Sequence, residues 1–199
     1  MADHYYTPNP ASAHDERQIE AEILGRRLRF TTDAGVFSRD GLDRGTEVLL
    51  ESLPPLCGRI LDLGCGWGAV GTALGARYPG LEIVMTDINA RAAALARRNL
   101  AENGVRAQVL EGDGFEAVEG LFDVVVTNPP IRAGKAVIYS LFDRARDFLR
   151  PGGALYVVIR KQQGAPSALK YLKEIYADAQ IVGRGSGYHV IRAETEGAR

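Results

Sequence analysis

The sequence is poor in cysteine, histidine and tryptophan, with two, three and one of them in 199 residues. Cys57 and Cys65 are too few for a disulfide framework, and Cys65 sits in a glycine-rich turn where its small size is reason enough for it. A reducing cytosol fits that usage. His4, His14 and His189 show no metal-ligand spacing, so no metal centre is expected, and His189 reads as a strand residue. No stretch approaches about 18 consecutive apolar residues. The opening MADHYYTPNPASAHDER lacks the basic-then-apolar order of a signal peptide. Neither a membrane span nor export is expected, and the expected location is cytoplasmic. Charge of one sign is lacking too: 24 Lys and Arg stand against 25 Asp and Glu, for a net charge of −1. That excludes the global positive field of many dedicated nucleic-acid binders, so any contact with a polyanion has to come from a local patch.

What the chain does have is apolar content, 46% of its residues, enough for one sizeable core. A single domain over 1–199 is expected: a flexible or loosely docked lead-in (1–18), an N-terminal cap (19–55) and a sheet (56–199). In the cap, RRLRFTT reads as a short strand. Val48, Leu49 and Leu53 make a helical face that Pro54-Pro55 ends. From Arg59 short apolar runs (RILDLGC, EIVMTDI, AQVL, FDVVVTNPP, ALYVVIRK) alternate with longer amphipathic stretches. Runs apolar on both faces suit parallel strands covered by helices, so the order argues a doubly wound α/β sheet. AQIVG and YHVIRAE, separated by RGSG, predict a C-terminal antiparallel hairpin. There is no internal repeat and no low-complexity tract.

LDLGCGWGAVG places Gly64, Gly66, Gly68 and Gly71 after a strand and at the start of a helix, where backbone amides can approach a ligand closely. The looser dinucleotide fingerprint is also met, with Asp87 as the acidic residue beyond it. Asp62 discriminates. Its carboxylate would lie where a dinucleotide puts its pyrophosphate, a repulsion of about 1 to 4 kcal/mol at a few ångströms. S-adenosylmethionine has no phosphate and carries an ammonium and a sulfonium, so the same carboxylate attracts it. Asp87 is then suited to both ribose hydroxyls and Asp113 to the adenine amine, with Phe115 or Ile88 flanking the ring. Against this stands the plainer reading of Asp62 and Asp87 as helix caps and of Asp113-Gly114 as a turn.

FDVVVTNPPI ends an apolar strand in Asn128-Pro129-Pro130, and two prolines cannot continue a ladder. A strand-terminating turn is one explanation. Chemistry offers another. The lone pair of an exocyclic amine or carboxamide is delocalised, so a catalyst should accept hydrogen bonds from both its N–H groups and aim the lone pair at the methyl. Asn128 Oδ1 and the Pro129 carbonyl could do this, with the prolines stiffening the turn.

With LDLGCGWG, MTDIN and TNPPI, the chain resembles the small-domain class I methyltransferases of the RsmC group, the 16S rRNA guanine-N2 methyltransferases, over about residues 25–193. GVFSRDGLDRGTEVLLESL, NPPIRAGK and GYHVIRA belong to the same likeness. The resemblance implies a seven-stranded, Rossmann-like methyltransferase sheet. It implies S-adenosylmethionine as cofactor, guanine N2 as acceptor, and a Phe37-Ser38 turn folded over the cofactor. The cofactor set is then Phe37, Asp62, Gly64, Cys65, Gly66, Gly68, Asp87, Ile88, Asp113, Gly114, Phe115 and Asn128, and the acceptor turn is Asn128, Pro129, Pro130 and Ile131. Ile131 departs from the aromatic that often follows NPP. Longer relatives carry a second domain for which this chain has no room.

Ribosomal RNA or the small ribosomal subunit is the expected partner, contacted through Arg132, Lys135 and Lys161. Arg160 has a weaker claim, as does the trio Arg26, Arg27 and Arg29, and ordinary solvated charge is the alternative for them all. Trp67 reads as a packing residue. Methylation of a protein glutamine is the competing activity, and a catalytically silent cofactor-binding assembly factor is the non-enzyme alternative. The sequence does not speak to oligomeric state.

Overall fold

The computed structural model describes residues 7–8 and 10–197, with Arg132 described by its backbone alone. His4 lies outside the described residues. The strands β1 (Arg17–Ile23) and β2 (Arg26–Thr32) pair antiparallel as a separate hairpin. Helix α1 (Arg44–Ser52) starts at Asp43, whose side chain accepts from Thr46 N, and stops before Pro54-Pro55 as expected. Then come β3 (Arg59–Leu63), α2 (Ala69–Arg77), β4 (Glu82–Asp87), α3 (Ala90–Glu102), β5 (Gln108–Glu111), β6 (Phe122–Thr127), α4 (Lys135–Asp147), β7 (Leu149–Arg160), α5 (Ala165–Ile175), β8 (Asp178–Gly185) and β9 (Tyr188–Glu194).

The main sheet has seven strands in the order β5-β4-β3-β6-β7-β9-β8. The first five are parallel, and β9 lies antiparallel between β7 and β8. From β3 the chain winds outward through β4 and β5, then returns to the other side of β3 as β6. The carboxyl ends of β3 and β6 therefore flank the switch point where ligands bind in open sheets. Alternation along each strand makes two cores. Ile60, Val126, Tyr156 and Val158 face α1, α2, α3 and the hairpin, while Leu61, Val125, Leu155 and Val157 face α4 and α5. Leu61, Val125 and Leu155 have no exposure, and each such side chain contributes about 1.5 to 3 kcal/mol by burial.

Polar side chains of α3 lock the hairpin onto the sheet. Asn99 Oδ1 accepts from Thr31 N at 2.7 Å and its Nδ2 donates to Thr31 O at 3.0 Å. One turn on, Asn103 makes the same pair of bonds to Arg29 N and O, at 3.0 and 2.6 Å. Two helical residues four apart thus match two strand residues two apart, and they satisfy a strand edge that would otherwise be open.

β1 begins at Arg17, inside the span expected as a flexible or loosely docked lead-in, and described residues before it bond to the start of α3 and to Asp33. Ala90 N donates to Pro8 O at 3.0 Å, Arg91 Nη2 to Ser12 O at 2.8 Å, and His14 Nδ1 lies 2.5 Å from the buried Asp33. One guanidinium gathering scattered carbonyls leaves no period in a sequence. Among the described residues no helix is long and apolar enough to cross a membrane, and no cluster of His, Cys, Asp and Glu could hold a metal ion.

Candidate active site

A cavity of about 450 Å³ opens over the carboxyl ends of β3, β4 and β6, within the range of roughly 300 to 1,000 Å³ usual for small-molecule sites. Its floor is the turn after β3. Gly64 (φ 73°) and Gly66 (φ 56°) take left-handed backbone there, and a Cβ on either would meet nothing within 4 Å, so the turn presents bare backbone to the cavity. The Gly64 and Cys65 amides both donate to Thr86 O at 2.9 Å, which ties the turn to β4.

Two acidic side chains brace this floor. Asp62, 3% exposed, accepts from Gly71 N in the first turn of α2 at 2.9 Å. Burial pushes its carboxyl up to about 7; the Gly71 bond opposes the shift and the Asp87 charge adds to it. Asp87 accepts from Gly66 N at 2.7 Å and Asn89 N at 2.9 Å. Burial raises its pKa as well, against those two donors. Both carboxylates thus act as backbone braces and also line the cavity, so the capping role and the ligand-facing role coexist. Burial and the two neighbouring carboxylates raise the Cys65 thiol well above its ordinary range, which leaves it no nucleophilic role.

Across the cavity, Asn128 Nδ2 donates to Asp43 Oδ2 at 3.0 Å and to Thr46 Oγ1 at 3.1 Å. Asp43 is the α1 N-cap, so one carboxylate oxygen starts a helix and fixes an amide. With the Nδ2 side of the amide engaged, Oδ1 has no hydrogen bond among the described residues, in a residue that lines the cavity. Asp43 and Thr46 were not among the sequence candidates. Their signal was the capping pattern of DRGT, which reads as helix chemistry alone.

The roof is the segment Val36-Phe37-Ser38, held by Trp67 Nε1 to Ser38 O at 3.3 Å and by Asn89 Nδ2 to Gly35 O at 2.9 Å. Trp67 packs edge-to-face on Phe30, 4.8 Å between centroids, as a structural residue. Of the expected cofactor set, Phe37, Asp62, Gly64, Cys65, Gly66, Asp87, Ile88, Asp113, Gly114 and Asn128 line the cavity, and so does Pro130 from the acceptor turn.

The structure does not bring the rest to it. Phe115, 1% exposed, stacks on Phe148 at 4.7 Å under the Arg144 guanidinium, because the turn after Gly114 directs it into the core beneath α4. Leu141 lies near Gly114 and takes the cavity-facing place. Gly68 caps α2 and packs against Ala96 and Met85. Pro129 is buried. Ile131 starts a short 3-10 turn, Ile131–Ala133, and packs into the core with α4 and α5; Ala133 and Val137 line the cavity on that side. Lys135 lies with its Nζ 4.9 Å from the Tyr139 ring centroid, outside the cavity, and Lys161 is exposed beyond β7.

Known proteins resemble this chain in sequence and fold. A 199-residue alignment with the uncharacterised protein YbxB of Bacillus subtilis is 36% identical and covers 98% of this chain and 99% of that protein. Ribosomal RNA small subunit methyltransferase C of Pasteurella multocida is 43% identical over 157 residues, 76% of this chain and 48% of its own. The solved 16S rRNA N2 G1207 methyltransferase of T. thermophilus, in complex with AdoMet and guanosine, superposes with a TM-score of 0.82 at 31% identity, covering 94% of this chain and 52% of that one. The chain spans about half the length of the RNA methyltransferases it matches. The family described as the methyltransferase small domain matches residues 27–192, and with that span the chain belongs to the small-domain methyltransferases.

Proposed function

We propose that the protein transfers a methyl group from S-adenosylmethionine to the exocyclic N2 amine of a guanine in 16S ribosomal RNA. The observation that carries this reading is Asn128, held by Asp43 and Thr46 with Oδ1 free beside a glycine floor. Similarity to a guanine-N2 methyltransferase solved with AdoMet and guanosine supports it.

The cavity suits that cofactor. Asp62 is buried enough to hold a proton near neutrality, and a neighbouring ammonium would restore its carboxylate. Asp87 has lone pairs left for the ribose hydroxyls beyond its two backbone donors, Ile88 and Leu141 offer apolar surface for the adenine, and Asp113 can accept from the adenine amine. When bound, the cofactor supplies an electrophilic methyl.

The chain's own residues supply orientation. Asn128 Oδ1 accepts one N–H of the acceptor amine, turning the nitrogen lone pair toward the cofactor side. As the nitrogen gains positive charge this acceptor binds more strongly, so its contribution falls on the transition state. An exposed apolar rim of Phe37 (37%) and Val137 (47%) gives a planar base a surface to enter against. Lys135 and Arg132 follow the acceptor turn and would meet the phosphate backbone. A 16S rRNA substrate goes with cytoplasmic residence.

The test offers tritiated cofactor to naked 16S rRNA, small subunits, tRNA and release factor in parallel. Label at guanine N2 in the rRNA is expected, with a partly assembled subunit outperforming a perfect duplex, since unstacking a base costs a few kcal/mol. Label only on a glutamine of the release factor would replace the RNA reading with protein methylation, and cofactor binding without transfer to any acceptor would leave an assembly factor.

A further inference from the structure

The expected cofactor residues sit at the ends of β3, β4 and β5, and Asn128 at the end of β6. In the strand order, what remains of the edge is β7, β9 and β8. An acceptor strand that places one base at Asn128 can continue over those three strands.

Basic side chains stand there. Thr127 pairs with Val157 on β7, and β7 runs on to Arg160, whose partner on β9 is Tyr188. Arg160 thus stands two residues beyond the level of Asn128, about 7 Å at ~3.3 Å per residue. Its guanidinium carbon lies 5.3 Å from the centroid of the Tyr188 ring. Tyr188 in turn is pressed against Gly45, two residues from Asp43, where a Cβ would come within 2.9 Å of the ring. One chain of contact therefore joins Arg160 to Asn128 through Tyr188, α1 and Asp43.

Past this stack lie Lys161, whose backbone N donates to Gly187 O in the β8–β9 turn at 2.8 Å, and Arg184 near the end of β8, opposite His189. Both are close enough to His189 to lower its pKa, after burial. All three cations are exposed. Among the described residues none of Arg160, Lys161 and Arg184 forms an ion pair. By contrast Arg29, Arg59, Arg97, Arg98 and Arg150 each hold a carboxylate. They give this end of the sheet a local positive charge that the net charge of −1 does not reveal.

We propose that Arg160 on its Tyr188 backing, with Lys161 and Arg184, is the docking platform for the single-stranded RNA flanking the target nucleotide. The aromatic ring holds the guanidinium from one side and leaves the other planar face for a neighbouring base, while Lys161 and Arg184 take phosphates. The inference rests on RNA being the substrate.

The test measures anisotropy of a labelled single-stranded RNA carrying one guanine against salt concentration, and cofactor affinity by calorimetry. The variants are Arg160→Ala/Lys161→Ala/Arg184→Ala together and Arg160→Lys alone. The triple variant is expected to lose at least tenfold in RNA affinity at about 0.1 M salt and to flatten the log–log salt slope by about 1.4, from ~0.7 for each of the two phosphate contacts on a single strand. Cofactor affinity should not change. Arg160→Lys should keep the slope and lose affinity several-fold, because charge survives and the planar face does not. Wild-type affinity and slope in the triple variant would overturn the platform and leave the proposed function standing, provided the wild type methylates rRNA. A wild-type protein that binds no RNA and labels a release-factor glutamine would overturn both.

Discussion

One sheet edge carries two opposite chemistries. The half over β3, β4 and β5 presents Asp62, Asp87 and Asp113 to the cavity, two of them with pKa values raised mainly by burial. The half over β6, β7 and β9 presents a neutral amide, then Arg160, Lys161 and Tyr188. The two meet between Leu63 and Asn128, across adjacent strands. A cationic cofactor rich in hydroxyls belongs to the first half and a polyanion to the second. Composition reports only the sum of all charges and so hides two local fields of opposite sign.

The sharpest break in this division comes at its boundary. Asn128→Ala should lower the methylation rate by about a hundredfold or more while leaving cofactor affinity nearly unchanged. Single-turnover kinetics with calorimetry checks it, and equal loss of both would move Asn128 into the cofactor half. Deeper in the acidic half, Asp87→Ala should weaken cofactor binding by about 1.5 to 3 kcal/mol by titration calorimetry.

Asp43→Ala frees the Asn128 amide to turn over. It should slow transfer by about tenfold, and the lost cap should cost about 1 kcal/mol of stability in a melting experiment. Asp43→Asn keeps an oxygen for both Thr46 N and Asn128 Nδ2. Recovery of the rate, and not just of stability, in that variant separates amide positioning from capping.

The smallest effect is graded with pH. With Asp62 pushed up to about 7, a cofactor that needs its carboxylate should bind about tenfold more weakly for each unit below that value. The free protein should behave in the opposite sense. A folded pKa above the unfolded one gives stability that is fully present below about pH 4 and lost as pH rises through about 7, so melting temperature should fall across that window and cofactor should offset the fall. Asp62→Asn should flatten both profiles.

Much of this was legible in the chain. The strands and helices of the sheet follow from apolar runs and their flanking glycines, and RRLRFTT is β2 itself. Asp62, Asp87 and Asn128 could be singled out because a strand end, a glycine turn and a double proline leave marks at fixed spacing. The contacts between distant segments were not legible. Phe115 follows a cavity residue in sequence yet turns into the core, and no periodicity reports that turn. Asp43 looked like a cap and is one; its second bond reaches 85 residues along the chain. Arg184 drew no attention, because a lone arginine in a hairpin is ordinary until Arg160 and Lys161 are folded beside it.

The asparagine pair on α3 also determines how the roof of the cavity behaves. Asn99 and Asn103 grip the main chain of β2 and not its side chains. Substitution at Arg29 or Thr31 therefore leaves the joint intact, whereas replacing Asn99 strands a buried amide N–H and carbonyl. The hairpin should open only when α3 opens, and in hydrogen exchange the amides of Arg29 and Thr31 should share the protection of the helix. Phe37, five residues past the hairpin, then hangs from a rigid frame, and what freedom the roof has is confined to the few residues between Asp33 and the first turn of α1.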